Sequence, residues 1–272
     1  MTDNAKIDPL AQAMHDLTAL MARLRNPNNG CPWDIEQDFK SIAPHTIEEA
    51  YEVSDAIERN DMSDLKDELG DSLAQVAFHA QMAEEKGLFS PTDAAAQVTQ
   101  KMIARHPHVF GDATANKASD VVDLWERNKD KEKKAAGNAS ILDDVTRALP
   151  ALMRAQKLQK RVARVGFEWS DAFGAYGKLQ EEMAELLEGM KANDTANIHE
   201  ELGDVMFCVV NVGRMLGVDC ETSLRDCNAK FERRFKGVED DIKAQSLTLE
   251  AATLDQMDAA WERQKVKEKS AL

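Results

Sequence analysis

The chain has 272 residues, 43% hydrophobic and 31% charged, enough to bury a core in one large or two medium domains. Its 34 basic against 49 acidic residues give a formal charge of −15. That balance argues against a nucleic-acid or anionic-membrane partner, because both need clustered excess Lys and Arg.

The opening MTDNAKIDPLAQAMHD has neither a basic n-region nor an apolar h-region, so no secretory signal is expected. The most apolar stretch, VMFCVVNVG, is too short and interrupted to span a bilayer. Cys31, Cys208, Cys220 and Cys227 show no CxxC pairing and no His at zinc spacing. They read as reduced thiols of a cytoplasmic protein.

In chain order, IEEAYEVSDAI at 47–57 carries Glu48, Glu49 and Glu52, and KDELGDSLA at 66–74 adds Glu68 and Asp71. SPTDAA at 90–95 predicts a helix start, with Ser90 as N-cap and Pro91 at the first helical position. Lys101 and Arg105 follow, and ARHPHVFGD at 104–112 reads as a loop because Pro107 ends the helix. WERNKDKEK holds Trp125 and Lys129, and the charged, then small and Gly-containing residues after it read as a linker. Ser140 is placed to cap a helix beginning ILDDV.

The second half repeats the first. Adding 133 takes Glu48, Glu49, Glu52, Glu68 and Asp71 onto Glu181, Glu182, Glu185, Glu201 and Asp204. At offset 136, Trp33 meets Trp169, and WERNKDKEK meets WERQKVKEK with Trp261 and Lys265. Lys101 and Arg105 match Lys230 and Arg234 at offset 129, beside Arg233 in AKFERRFK.

The period is helical nearly throughout. Leu179, Met183, Leu186, Leu187 and Met190 share an arc of about 100°, and Leu202, Val205, Met206, Val209, Val212 and Leu216 one of about 120°. The polar KANDTANIH between them reads as a turn joining antiparallel helices. With no alternating β-branched runs, the expectation is an all-α tandem repeat of two similar helical domains, 1–130 and 141–272, joined by a linker at 131–140.

Glu182 and Glu185 lie about 60° apart on one edge of the stripe, and Glu201 and Asp204 repeat that relation. If the stripes pack, four carboxylates converge at the rim of the bundle, an arrangement that repels itself unless a cation is present. Four hard oxygens without Cys or His favour magnesium or manganese over zinc. A diiron bundle would place Glu-x-x-His where this chain has Glu-x-x-Asp. Glu181 and Glu48 point further from the stripe, as supporting groups or as a base for a water. Plainer readings compete: TIEE at 46–49 makes a capping box on Thr46, and any single acidic face can be merely solvated.

Lys230, Arg233, Arg234 and Lys265, with Lys101, Arg105 and Lys129 in the first copy, suit a phosphate-bearing ligand. Trp125 and Trp261 either cover a base or close the core. No P-loop, GxSxG elbow or HExxH is present.

EExxE followed after fifteen residues by ExxD resembles the all-α nucleoside triphosphate pyrophosphohydrolases. The duplication, with NGCPWD, ARHPHVFGD, KFERRF and WERQK, is similar to the two-domain MazG-type members across essentially the whole chain. The resemblance implies four-helix-type cores completed by homodimerisation and hydrolysis of NTP to NMP and pyrophosphate. It also implies a Mg²⁺ requirement and broad tolerance of the base. On the matching positions it implies Glu182, Glu185, Glu201 and Asp204, with Glu49, Glu52, Glu68 and Asp71, as metal ligands. Lys230, Arg234, Trp261 and Lys265 match nucleotide contacts of the second copy, and Glu181, read above as a base for a water, completes the expected catalytic set. The thinner basic cluster of the first copy points to the second as the main catalyst. A nucleotide or metal sensor that controls a partner without turnover, and a purely structural helical dimer, are the alternatives from other classes.

Overall fold

The computed structural model describes residues 8–115, 117, 120–121, 124–125, 140–143 and 145–270. Lys129 and most of the expected linker lie outside the described residues. The chain divides into two compact units, 1–133 and 134–272. Among the described residues every regular element is helical.

The first unit runs α1 (Pro9–Leu24), α2 (Pro32–Glu36), α3 (Phe39–Glu58), α4 (Met62–Glu85), α5 (Pro91–Arg105) and α6 (Pro107–Phe110). The second runs α7 (Ala151–Ala163), α8 (Ala172–Ala192), α9 (Thr195–Met215), α10 (Cys220–Ala244) and α11 (Leu254–Ser270). Part of the acidic excess serves the helix starts. Asp8, Asp38, Asp61, Asp171, Asp194 and Asp219 are N-caps whose side chains accept from first-turn N–H groups of α1, α3, α4, α8, α9 and α10.

Each unit is organised around a helical hairpin, α3–α4 or α8–α9. The same device closes both: Asn60 and Asn193 turn left-handed at φ 55° and 51°, and the Asp that follows caps the next helix. In the first unit α1 packs on α4 over Met21, Ile42, Ala77, Phe78 and Met82, and Arg25 bridges to Glu85 at 2.8 Å. In the second, α7 packs on α9, while α10 and α11 form a further hairpin over Val238, Ile242 and Ala260.

Several expectations are corrected. The α8–α9 turn is two residues, not nine, because Asn193 and Asp194 do the whole work. ILDDV does not start a helix: Ser140 Oγ accepts from Leu142 N in a tight turn, and helix resumes only after Pro150. ARHPHVFGD contains a helical turn, α6, begun by Pro107. Thr46 is not an N-cap. A capping box formed by Asp38 and Ser41 begins α3 seven residues before Thr46, which meets His79 Nε2 at 2.9 Å.

Only part of each apolar stripe is covered: Leu179, Leu186, Val205 and Val212 are half-buried. Ala175, Glu182 and Gly189 of α8, spaced by seven, are the residues buried, against Glu201 and Val210 of α9. Met183, Leu187, Met190, Leu202, Met206 and Val209 are exposed. Small residues and carboxylates are the most deeply buried positions of α8, and several of the large apolar side chains of both helices face outward.

Between α1 and α2, Gly30 N donates to Asn26 O and Cys31 N to Leu24 O. A Cβ on Gly30 would sit 2.6 Å from Asn26 O, against backbone that cannot give way. Gly30→Ala is therefore expected to destabilise the first unit by about 1–3 kcal/mol, the range for forced overpacking, as a calorimetric melt would read.

Candidate metal and nucleotide site

In the second unit, α8 supplies Glu182 and α9 supplies Glu201 and Asp204, one turn apart on the same face. One oxygen from each lies within 4.8 Å of the others. Glu182 is 6% exposed and Glu201 9%. Glu201 Oε1 accepts from Asn197 Nδ2 at 3.0 Å, whereas its Oε2 is buried and has no hydrogen-bond partner among the described residues. A buried carboxylate oxygen without a donor is costly, and a hard cation relieves it without adding a proton. The residues therefore fit a divalent ion. Burial pushes the Glu201 carboxyl up against the Asn197 hydrogen bond, and the fields of Glu185, Glu182 and Asp204 add to it.

Glu185 is exposed and stands outside the tight group, though it contributes to that field. Glu181 is also exposed. Lys178 completes the cluster: its Nζ lies 2.7 Å from both Glu181 and Glu182, and those two carboxylates hold its ammonium well above the usual lysine range. Sequence reasoning missed Lys178, although its spacing of three and four residues before two glutamates is a helical ion-pair pattern.

The first unit repeats the arrangement with Glu49, Glu68 and Asp71, again within 4.8 Å of one another, and with Glu52 outside. Burial raises the Glu49 and Glu68 carboxyls, with Asp71 the next influence on the first and Glu52 on the second. The position matching Lys178 is His45, whose Nδ1 stands 3.4 Å from Glu48. Glu49 instead receives Gln75 Nε2 at 3.5 Å. The acids recur, but the groups that answer them differ.

Beside the second cluster lies a cavity of about 670 Å³, whose lining includes Lys178, Glu182 and Asp204. Trp169, Phe167 and Phe207 give it aromatic walls. Gly174 makes room for Trp169, since a Cβ there would come 3.1 Å from the indole. The polar lining is fixed by internal bonds: Arg214 is held by Glu168 and by Asn211 Oδ1, and Gln159 Nε2 donates to Phe207 O at 2.7 Å. Trp169 was visible in the sequence only as part of a repeat, and Gln159, Asn211 and Arg214 carry no spacing that marks them.

The cations form a separate group. Arg234 lies over the Trp261 ring at 5.6 Å, Arg233 and Arg234 pair with Glu268, and Lys265 pairs with Glu262 at 2.7 Å. In the first unit Arg105 lies over Trp125 at 5.2 Å. Lys101 and Lys230 are exposed on α5 and α10. None of Lys230, Arg233, Arg234, Trp261 and Lys265 lines the cavity that Glu182 and Asp204 line. Three acids per unit thus come together, while in the second unit the expected cations are absent from the lining of the acids' cavity.

The model for the MazG nucleotide pyrophosphohydrolase domain matches residues 37–110 and 175–238, which enclose both carboxylate clusters. A nucleoside triphosphate pyrophosphohydrolase of Escherichia coli (strain K12) is 48% identical over 254 residues, 93% of this chain and 97% of that protein. The nucleoside triphosphate pyrophosphohydrolase/pyrophosphatase MazG of Thermotoga maritima is 40% identical over 92% of this chain and 94% of its own length. The uncharacterized protein YabN of Bacillus subtilis is 40% identical over 92% of this chain, which spans 51% of it. With its domain present twice in tandem, the chain belongs to the MazG nucleotide pyrophosphohydrolase family.

Proposed function

We propose that the chain hydrolyses nucleoside triphosphates to the monophosphate and pyrophosphate, with Mg²⁺ held by Glu182, Glu185, Glu201 and Asp204 and the second unit as main catalyst. The observation that carries this is the buried Glu201 oxygen, without a partner among the described residues, in a cluster whose Glu182 and Asp204 line a nucleotide-sized cavity. The full-length relatives' names support the reaction class. Glu49, Glu52, Glu68 and Asp71 are the corresponding set in the first unit, with Mn²⁺ an acceptable substitute at either.

When bound, Mg²⁺ neutralises phosphate oxygens and makes a nearby water a better nucleophile. The chain's own groups do the rest. Glu181, exposed and adjacent to Glu182, takes the proton of the attacking water. Lys178 is the cation nearest the acids, and its flexible stem lets the ammonium turn from Glu181 and Glu182 to a phosphate oxygen. Lys230, Arg233, Arg234 and Lys265, with Trp261, meet the charge that develops on the leaving pyrophosphate. Lys101, Arg105, Trp125 and Lys129 are their first-unit counterparts. The base rests between Trp169 and Phe167, and because stacking accepts any base, broad specificity is expected.

The test is product analysis after incubation with an NTP and Mg²⁺. NMP and pyrophosphate in equal amounts are expected. NDP with orthophosphate, or tight NTP binding without turnover as a sensor would show, defeats the reading.

The same reading includes a homodimer. Met183 is 56% and Met206 49% exposed in the stripes of α8 and α9, an apolar face that a second copy can cover. In this reading the second copy also brings its cations to the cavity. Light scattering is expected to give twice the chain mass; a monomer at micromolar concentration removes this part of the proposal.

A further inference from the structure

Arg233 and Arg234 are neighbours on α10, so their side chains leave the helix about 100° apart and their charges repel. Nevertheless both reach one carboxylate. Arg234 approaches Glu268 Oε2 with Nε at 2.8 Å and Nη2 at 2.7 Å, and Arg233 approaches Oε1 with Nε at 3.0 Å and Nη2 at 2.9 Å. Each arginine thus spends only one edge of its guanidinium, on one oxygen. The other N–H groups of each fork, including both on Nη1, have no hydrogen-bond partner among the described residues.

Glu268 is built into place. It stands seven residues after Trp261, on the same face of α11, and Arg234 lies over that tryptophan at 5.6 Å. Between them Gln264, 9% exposed, donates to Gly237 O and to Asp241 Oδ2, both at 3.0 Å. Those bonds lock α11 against α10. A Cβ on Gly237 would come 2.6 Å from the Gln264 amide and would displace it from these two bonds. The repeat supplies an independent observation: Glu132 follows Trp125 by the same seven residues in WERNKDKEK. Its side chain lies outside the described residues.

We propose that Glu268 is a positioning residue that aligns Arg233, 63% exposed, and Arg234, 20% exposed, as a single anion grip, the three groups together carrying one positive charge. The ligand class is a polyphosphate, which takes the free ends bidentately. This assignment rests on the reading of these arginines as phosphate contacts. Aligned beforehand, two long side chains lose little rotamer freedom when the ligand arrives.

The experiment uses the full chain with inorganic tripolyphosphate and Mg²⁺ in a calorimetric titration, beside steady-state kinetics with an NTP. Glu268→Gln keeps the shape, but its amide nitrogen repels one arginine. It is expected to weaken tripolyphosphate binding by about 3- to 10-fold, the entropy of holding one or two long side chains, and to lower kcat/KM by a similar factor. Glu268→Asp, which keeps both oxygens, recovers at least part of the loss. Equal or tighter binding in Glu268→Gln overturns the proposal, because a carboxylate that merely competed with phosphate would release the arginines when neutralised. Arg234→Gln separates the two failures. If it weakens tripolyphosphate binding while Glu268→Gln does not, the phosphate reading stands and the positioning role falls. If Arg234→Gln has no effect, the phosphate reading falls and takes the positioning role with it.

Discussion

Replacing Glu201 with Gln and Asp204 with Asn together is expected to lower NTP turnover by about 10³-fold or more, because two charged ligands disappear from a site that works by electrostatics. The substitutions are isosteric, and a Gln at 201 still presents an oxygen to Asn197 Nδ2, now 3.0 Å from the carboxylate. The fold should therefore survive. In the metal-free state it should also melt no lower than the parent, since three carboxylate oxygens within 4.8 Å repel one another. An inactive protein that is at least as stable separates loss of chemistry from loss of structure. The matching pair in the first unit, Glu68→Gln with Asp71→Asn, is expected to leave most of the turnover. There the position of Lys178 belongs to His45, which pairs with Glu48 and not with Glu49. Turnover within tenfold of the parent in the first double variant, or an equal collapse in the second, would show the assignment of the catalyst to be wrong.

Adding Mg²⁺ at about a hundredfold over its Kd is expected to raise the melting temperature near neutral pH by about 5–10 °C, because an ion that binds only the folded chain stabilises it by mass action. The pH dependence has a definite sign. Burial, then neighbouring carboxylates, hold Glu49 and Glu68 above the ordinary value of 4.5; at Glu201, raised chiefly by burial, the Asn197 hydrogen bond pulls the other way. A folded-state pKa raised above the unfolded value means that the folded chain binds the proton more tightly. The stabilisation is complete below about pH 4.5 and is lost as pH rises through the raised values. The capping and ion-paired acids Asp38, Asp61, Asp93, Glu85, Asp241 and Glu268 are shifted downward, and theirs is the opposite contribution, present above the unfolded pKa and lost in acid. Comparing the parent with Glu68→Gln cancels those terms. In EDTA the variant should gain on the parent as pH rises from 4.5 toward neutrality, and Mg²⁺ should reverse the order. Protons compete with the ion for the same oxygens, so the Mg²⁺ effect should fade toward pH 4.5. Identical melts in EDTA and Mg²⁺ at pH 7.5 would mean that no divalent ion is held.

Local and periodic features were legible in the sequence. The 133-residue register of the five acids, the all-helical period and the Ser90–Pro91 helix start depend on neighbours within a few residues, and a linear pattern records such neighbours directly. The same is true of a feature that went unread: Asn60–Asp61 and Asn193–Asp194 repeat at that offset and make both hairpin turns. Other outcomes required packing. A capping box on Asp38 displaced the plausible one on Thr46, and Pro150 decided where α7 begins. The apolar arc of α8 indicated a buried face, yet Ala175, Glu182 and Gly189 are buried and Met183 and Met190 are not. Periodicity reports which residues share a face; the closeness of approach, set by small side chains, selects the face that meets the neighbouring helix. The chain's own pattern thus determined which carboxylates travel together. Only the tertiary structure decided that three of them meet per unit, that Lys178 joins them, and that the arginines gather on Glu268, because those contacts join residues far apart in sequence or depend on which way a helix turns.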